Sequence, residues 1–304
     1  MQNGDATGAL LLERATIRSL AAWGAAALTS AGFDEARLHA ELLLGHALKL
    51  NRSDLEIHGD RLIDRDGMKR FHSLLSRRLR SEPLQYIVGE TAFMGLEISV
   101  DPRVLIPRPE TELLAEKTLE VISRSAYPAV RILDIGTGSG CVAIALAHRL
   151  PHSQVTGLDV SAEALQVAAR NVERHGLRNV TLIEGDIFEH VLPDRTFEII
   201  VANPPYIPAE DFPNLQPEVR DFEPRIATTD DQDGLRFARR IAAVASRRLT
   251  GGGALLMEIG YGQAESAAKI FRGEGLSDIT VWDDYAKIPR VVAGMNPGTD
   301  RVRG

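Results

Sequence analysis

Residues 131–150 read Arg-Ile-Leu-Asp-Ile-Gly-Thr-Gly-Ser-Gly-Cys-Val-Ala-Ile-Ala-Leu-Ala-His-Arg-Leu. An apolar run of strand length over Arg131–Ile135 passes through three glycines into a helix predicted from Cys141 to Leu150. The same alternation continues down the chain. Gln154–Leu158 is the next strand. Ser161 is a good cap for the helix that follows, which carries Leu165, Ala168, Ala169 and Val172 on one face and stops at Gly176. Val180–Glu184, Phe197–Val201 and Gly253–Ile259 are further strands. Short apolar strands separated by amphipathic helices predict an α/β fold, a parallel sheet covered by helices on both faces.

The loop Gly136-Thr137-Gly138-Ser139-Gly140 lies between a buried strand and a helix. Glycines there let the backbone turn tightly and admit a ligand against the main chain. A dinucleotide fingerprint wants glycine or alanine three residues after its second glycine, and position 141 is cysteine. The third glycine falls one residue earlier, at Gly140. A pyrophosphate needs its closest approach at the helix start, whereas a ligand without phosphate does not. The spacing therefore favours S-adenosyl-L-methionine over a nicotinamide cofactor. Asp159 ends the next strand, where a carboxylate can accept hydrogen bonds from both ribose hydroxyls. Asp186 and Ile187 follow the third strand, placed to meet the adenine edge.

Asn203-Pro204-Pro205-Tyr206 follows the strand ending near Ala202. Two prolines cannot continue a sheet ladder, so the chain leaves the sheet at its carboxyl end, where open α/β sheets bind ligands. The residue types suit methylation of a planar nitrogen. The Asn203 side-chain oxygen and the Pro204 carbonyl can accept two N–H bonds, the prolines stiffen the loop, and Tyr206 offers an aromatic wall.

Upstream of Pro83 the pattern differs. Residues 6–82 read as helices, with Leu38, Leu42, Leu43 and Ala47, and then Phe71, Leu74, Leu75 and Leu79, at helical spacing. This stretch is expected to be either a packing bundle or a partner-recognition domain. Gln85–Val88 and Leu96–Val100 read as two short strands, so residues 83–106 are expected to form a β-hairpin linker. Residues 107–304 then make the catalytic domain, with Pro109 suited to the first turn of its first helix.

The 304 residues carry a formal charge of −7, with 44% apolar and 25% charged side chains. Affinity for a nucleic-acid backbone comes mostly from phosphate neutralisation and goes with a basic surface. The balance points instead to a protein or small-molecule substrate. The single cysteine, Cys141, excludes an internal disulfide and a cysteine-based zinc site. The apolar stretch Ser19–Phe33 is shorter than the roughly 18 to 20 residues that span a bilayer. Asp5 and Glu13 precede it, unlike the basic start of a signal peptide. The expected location is the cytoplasm.

Taken together, these motifs resemble the class I methyltransferases with an Asn-Pro-Pro-Tyr motif. Within them the chain is similar to the release-factor glutamine N5-methyltransferase family. The resemblance extends to Gln85-Tyr86-Ile87, to Ile106-Pro107-Arg108-Pro109-Glu110-Thr111-Glu112 and to Phe222-Glu223-Pro224-Arg225. It also includes Asp284-Tyr285 and Pro289-Arg290-Val291-Val292. It implies a Rossmann-like methyltransferase sheet preceded by a helical N-terminal domain. It implies S-adenosyl-L-methionine held by Gly136, Thr137, Gly138, Ser139, Gly140, Asp159, Asp186, Ile187 and Asn203. It further implies that Asn203, Pro204, Pro205 and Tyr206 are catalytic and hold the substrate glutamine, in the Gly-Gly-Gln tip of class 1 peptide chain release factors. Ile187 stands where some relatives carry an aromatic residue, and Thr228–Gly234 is unusually acidic.

Phe222-Glu223-Pro224 is expected to brace the Asn-Pro-Pro-Tyr loop, and Glu258 to support the cleft or lie buried and paired. His148, His152, His175 and His190 lack metal spacing, and Arg77, Arg78 and Arg80 read as a solvated helix face. The rival functions are methylation of an exocyclic amine of adenine or guanine in nucleic acid, and a non-catalytic nucleotide-binding scaffold. The first calls for a basic cleft or a target-recognition insertion, and neither is evident. The second does not require the Asn203 motif.

Overall fold

The computed structural model describes residues 15–124, 129–189 and 196–298. Residues 6–14 of the helical reading, together with Asp5, Glu13 and His190, lie outside the described residues. The chain forms two compact units that divide after Gly89.

The first unit is helical, with helices at Ile17–Ser30, Ala36–Leu48, Arg52–Ile57, Arg65–Arg78 and Leu84–Val88. Polar residues start three of them. Thr16 and Asn51 each form a reciprocal capping box, and Asp64 accepts from the Gly67 N–H at 2.6 Å. Leu20, Leu28, Leu43, Leu44, Phe71 and Leu75 build the core. Phe71 packs so closely on the first helix that a Cβ at Gly24 would lie 2.6 Å from its ring.

Two expectations for this unit are corrected. Gln85–Val88 is helical and not a strand. Pro83 caps a single turn that ends at Gly89, with φ 89°, while Tyr86 and Ile87 are both buried. Their β-branched and aromatic side chains read as strand only in isolation. Arg77 and Arg78 do not belong to a solvated face either, whereas Arg80 is exposed as expected. Arg78 is 2% exposed, lies 4.3 Å over the Phe33 ring and donates to the Glu82 carbonyl, while Arg77 pairs with the Glu82 carboxylate.

The second unit opens with a two-stranded antiparallel hairpin, β1 (Glu90–Phe93) and β2 (Leu96–Ser99). The helix Pro109–Ser123 follows, with Pro109 in its first turn. The main sheet contains β3 (Arg131–Ile135), β4 (Gln154–Asp159), β5 (Val180–Glu184), β6 (Phe197–Ala202), β7 (Leu249–Glu258), β8 (Ser277–Asp283) and β9 (Pro289–Met295). Their order is β5-β4-β3-β6-β7-β9-β8. The chain builds outward from β3 to one side and then crosses to β6 on the other. The crevice at the carboxyl end of β3 is therefore the switch point where such sheets bind ligands.

The sheet is mixed and not purely parallel. β9 runs antiparallel to β7 and β8, because β8 and β9 are joined by a tight turn that cannot make a parallel crossover. Leu133, Phe197, Ile200, Ile241, Leu255 and Phe271 are among the residues that close the core.

The helix Ala162–Arg174 is capped by Ser161, but its buried face is Ala164, Val167, Ala168 and Asn171. Leu165 and Val172 are half-buried and Ala169 is exposed. The polar Asn171 hides that register from a hydrophobicity reading. Asn171 is fully buried. It accepts from the Ser99 N–H at 2.8 Å and donates to the Ser99 and Ser139 carbonyls at 3.0 and 2.9 Å. One side chain thus ties the hairpin to the glycine loop. Asn171→Ala leaves these buried groups unpaired, at roughly 1–3 kcal/mol each. Urea denaturation should show a loss of that order, and an unchanged midpoint would remove Asn171 as the tie.

Candidate active site

The glycine loop takes the backbone shape that its composition permits. Gly136, Gly138 and Gly140 have φ of 73°, 55° and 81°. Gly140 also meets the next helix closely, since a Cβ there would lie 3.2 Å from the Ala168 methyl. The loop is held by acidic side chains beneath it. Thr137 donates to Asp134 Oδ2 at 2.6 Å, and burial pushes the Asp134 carboxyl up to about 6. Asp159 accepts from the Gly138 N–H at 2.8 Å and the Ser161 N–H at 2.9 Å. Burial raises the Asp159 carboxyl, and those backbone donors pull it back. Each of its oxygens retains a further acceptor site.

A cavity of about 570 Å³ opens at this edge of the sheet, within the usual range of about 300–1,000 Å³ for cofactor sites. Gly136, Thr137, Gly138, Ser139, Asp159, Asp186, Ile187, Asn203, Pro204 and Pro205 all line it. Gly140 and Tyr206 do not. Gly140 begins the helix Cys141–Arg149, and Tyr206 turns into the protein to donate to Glu258 Oε1 at 3.3 Å. Asp186 accepts from the Phe188 N–H at 2.8 Å, which fixes the turn after β5.

Phe188, beside Ile187, also lines the cavity. Its ring meets Phe237 edge-on at 5.2 Å and carries the Arg236 guanidinium at 4.2 Å. No local sequence motif marks these three, since Arg236 and Phe237 lie far along the chain from Phe188. The segment Arg103–Arg108 lines another wall, so residues placed in the linker and at its end belong to the site. Arg103 is fixed there by Asp101, whose carboxyl is held well below the usual range by Arg103 and then Arg170.

Asn203 stands just past β6, with its carbonyl oxygen 4.0 Å from where a Gly136 Cβ would be, so the two motifs face one another. Its Nδ2 donates to the buried Thr111 hydroxyl at 3.0 Å. Among the described residues nothing donates to its Oδ1. Thr111 lies within Arg108-Pro109-Glu110-Thr111-Glu112, and only the fold brings it to Asn203. The loop is tied at its far end. Ile207 donates to the Thr228 carbonyl at 3.2 Å, Ala209 to the Gln232 carbonyl at 2.9 Å, and Gln263 Nε2 to the Tyr206 carbonyl at 2.9 Å.

The backbone brace is therefore residues 228–232, whereas Glu223 holds a different wall. Its carboxylate accepts from Arg108 Nη2 at 2.7 Å through both oxygens. Burial raises the Glu223 carboxyl, and Arg108 opposes the rise. The acidic stretch after Thr228 is satisfied internally. Asp230 is buried and accepts from the Gln232, Gly234 and Arg236 N–H groups at 2.8, 3.0 and 3.0 Å. Asp231 pairs with Arg225, and Asp233 with Arg239 at 2.8 Å. The His175 ring meets the Glu97 carbonyl at 2.8 Å, while His148 and His152 are exposed. No helix among the described residues is long and apolar enough to cross a membrane.

Comparison with known proteins gives the same division. A family model described as "PrmC N-terminal domain" matches residues 19–89, and one described as "Methyltransferase domain" matches residues 127–257. The release factor glutamine methyltransferase of Geobacter sulfurreducens is 46% identical over 279 residues, covering 92% of this chain and 96% of that protein. Its namesake from Chlorobaculum tepidum is 42% identical over 271 residues, covering 86% and 91%. Among solved structures, a methyltransferase from Pyrococcus furiosus shares the fold, with a TM-score of 0.50 at 20% identity over 67% of this chain and 91% of that one. With relatives this similar along nearly its whole length, the chain belongs to the release factor glutamine methyltransferase family.

Proposed function

We propose that the protein transfers a methyl group from S-adenosyl-L-methionine to the side-chain nitrogen, N5, of the glutamine in the Gly-Gly-Gln motif of class 1 peptide chain release factors. The observation that carries this reading is the Asn203 amide, held by its nitrogen with its oxygen left to accept, across the cavity from the glycine loop.

The residues present fit the cofactor. The positive-φ glycines admit a ligand to the main chain, Asp159 keeps acceptor sites for a ribose diol, and Ile187 with Phe188 offers an apolar face to a flat base. Bound there, S-adenosyl-L-methionine supplies an electrophilic methyl on a sulfonium centre. The protein's work is done on the other reactant. An amide nitrogen is a poor nucleophile because its lone pair is delocalised into the carbonyl. Asn203 Oδ1 and the Pro204 carbonyl accept its two N–H bonds, which aims the lone pair and favours pyramidalisation. Pro204 and Pro205 stiffen the loop, so little ordering remains for the reacting complex. Orientation of this kind is worth up to about 7–11 kcal/mol, with electrostatic preorganisation adding to it. No strong base is needed, since the proton leaves from the methylated product to water.

Residues 1–82 serve, in this reading, as the part that recognises the release factor, supported by the family match over residues 19–89. Deleting them should raise KM for the release factor greatly and leave cofactor affinity nearly unchanged. Equal activity of both lengths would reduce that unit to packing. Asp159→Ala should weaken cofactor binding in a folded protein, by roughly 1.5–3 kcal/mol for each charge-assisted bond lost. Calorimetry showing wild-type affinity would take Asp159 out of the site.

The sharpest variants are at Asn203. Asn203→Ala should lower turnover on a release factor by about a hundredfold or more, with little change in stability. Asn203→Asp keeps an acceptor of similar size but adds a negative charge beside the sulfonium. It stabilises the charged ground state against a transition state in which that charge disperses. It should bind the cofactor at least as well as wild type and still turn over slowly. Wild-type kinetics in either variant would overturn the role given to Asn203.

A further inference from the structure

A hydroxyl can donate to an asparagine side chain or accept from it, so Thr111 alone does not decide which end of the Asn203 amide faces the cavity. The deciding group lies one step deeper. Glu258 ends β7 and is 1% exposed. Its Oε1 accepts from the Tyr206 hydroxyl at 3.3 Å. Burial raises the pKa of this carboxyl, and the Thr111 hydroxyl, which lies against it, opposes the rise. Oε2 is buried without a hydrogen-bond partner. A buried acceptor left unmatched costs free energy, and the Thr111 hydroxyl beside the carboxyl is placed to donate to it. Thr111 already receives Asn203 Nδ2 at its oxygen.

We propose that Glu258 is a positioning residue for the methyl transfer. Ionised, it is an acceptor only; it accepts a hydrogen bond from the Thr111 hydroxyl, leaves the Thr111 oxygen to accept from Asn203 Nδ2, and so turns Asn203 Oδ1 to the substrate. This inference rests on the reading of Asn203 as the acceptor of a substrate N–H.

The chain of bonds has a direction, and protonation reverses it. A neutral Glu258 donates to the Thr111 oxygen, and Thr111 then donates to Asn203. The amide turns over and presents Nδ2, a donor facing the donors of the substrate amide. Burial pushes the Glu258 carboxyl up to about 7, so the reversal falls within ordinary working pH. Among the described residues, four other titratable or charged groups face Glu258. They are Tyr206 from its own loop, Arg290 from β9, Glu110 from the helix Pro109–Ser123 and Cys141 from the helix Cys141–Arg149. Burial raises Tyr206 and pushes Cys141 up to about 12, so both stay neutral. The Arg290 guanidinium is held by Asp284 at 3.4 Å and by the Ile259 carbonyl at 3.2 Å. Glu110 lies on the exposed first turn of its helix.

Glu258→Gln is the telling variant. It keeps an acceptor for Tyr206 but places an N–H donor against Thr111, which is the reversed direction in a side chain of the same size. Single-turnover rates are measured on a class 1 release factor across pH with full-length wild-type and variant enzymes, with S-adenosyl-L-methionine affinity by calorimetry. The wild-type rate should fall as pH drops through about 7. The variant should be about tenfold slower or more at alkaline pH, with no acid limb and unchanged cofactor affinity. Thr111→Val, which removes the relay hydroxyl, should slow the reaction similarly, and combining the two should add little. A Glu258→Gln enzyme that keeps the wild-type rate and acid limb overturns the inference. So does a loss of cofactor affinity that matches the loss of rate. Normal wild-type methylation beside an indifferent variant defeats this inference alone, whereas a wild-type enzyme that methylates no release factor defeats the functional reading as well.

Discussion

The hydrogen bond from Asn203 Nδ2 to the Thr111 hydroxyl, 3.0 Å long, is the interaction on which the rest of the site depends. It joins the loop after β6 to the first turns of the helix Pro109–Ser123, segments 92 residues apart in sequence. The Asn203 amide has two nearly isosteric orientations, one presenting an acceptor and one a donor, and the direction of this bond separates them. An amide substrate offers two N–H groups, so only one of these orientations is useful. The surrounding structure reduces the freedom further. Pro204 and Pro205 remove backbone donors and limit φ, and the carbonyl of Tyr206 is pinned by Gln263.

The same edge of the sheet gathers carboxyl groups that the fold would not choose for stability. Asp134, Asp159 and Glu258 all lie at strand ends, and burial raises each of them. For Glu258 the rise from 4.5 to about 7 corresponds to a penalty on the ionised form on the order of 3 kcal/mol, at about 1.4 kcal/mol per unit. The sign is that of an acid with a raised pKa. Its contribution to stability is present below about 4.5 and is lost as pH rises through about 7. Domains are stable by only about 5–15 kcal/mol. A cost of this size is a sizeable share of that stability.

How much of this could be read from the chain follows the range of the interactions. The sheet and its ligand edge were legible because strand runs, three glycines and an Asn-Pro-Pro-Tyr turn are local patterns with local causes. β8 and β9 escaped that reading, and with them the antiparallel end of the sheet. The turn at Leu84–Val88 was misread because β-branched and aromatic side chains say strand, while Pro83 and Gly89 bound a helical turn. Asn171 was invisible for the opposite reason. A fully buried polar residue breaks a hydrophobic stripe, and its value lies in carbonyls contributed by Ser99 and Ser139. Thr111 and Phe188 sat beside motif residues, yet only tertiary structure shows that one holds Asn203 and the other carries the Arg236 guanidinium. Glu258 was legible as either supporting or buried, and the structure places it beneath the Tyr206 hydroxyl.

The central claim is that the oriented Asn203 amide selects a glutamine side chain of a release factor. Its most direct test is fragmentation mass spectrometry of a class 1 release factor treated with the enzyme and S-adenosyl-L-methionine. The account predicts one added methyl, located on the side chain of the glutamine in Gly-Gly-Gln and absent when Asn203→Ala enzyme is used. An enzyme that leaves that glutamine unmodified while labelling adenine or guanine amines in nucleic acid would contradict it.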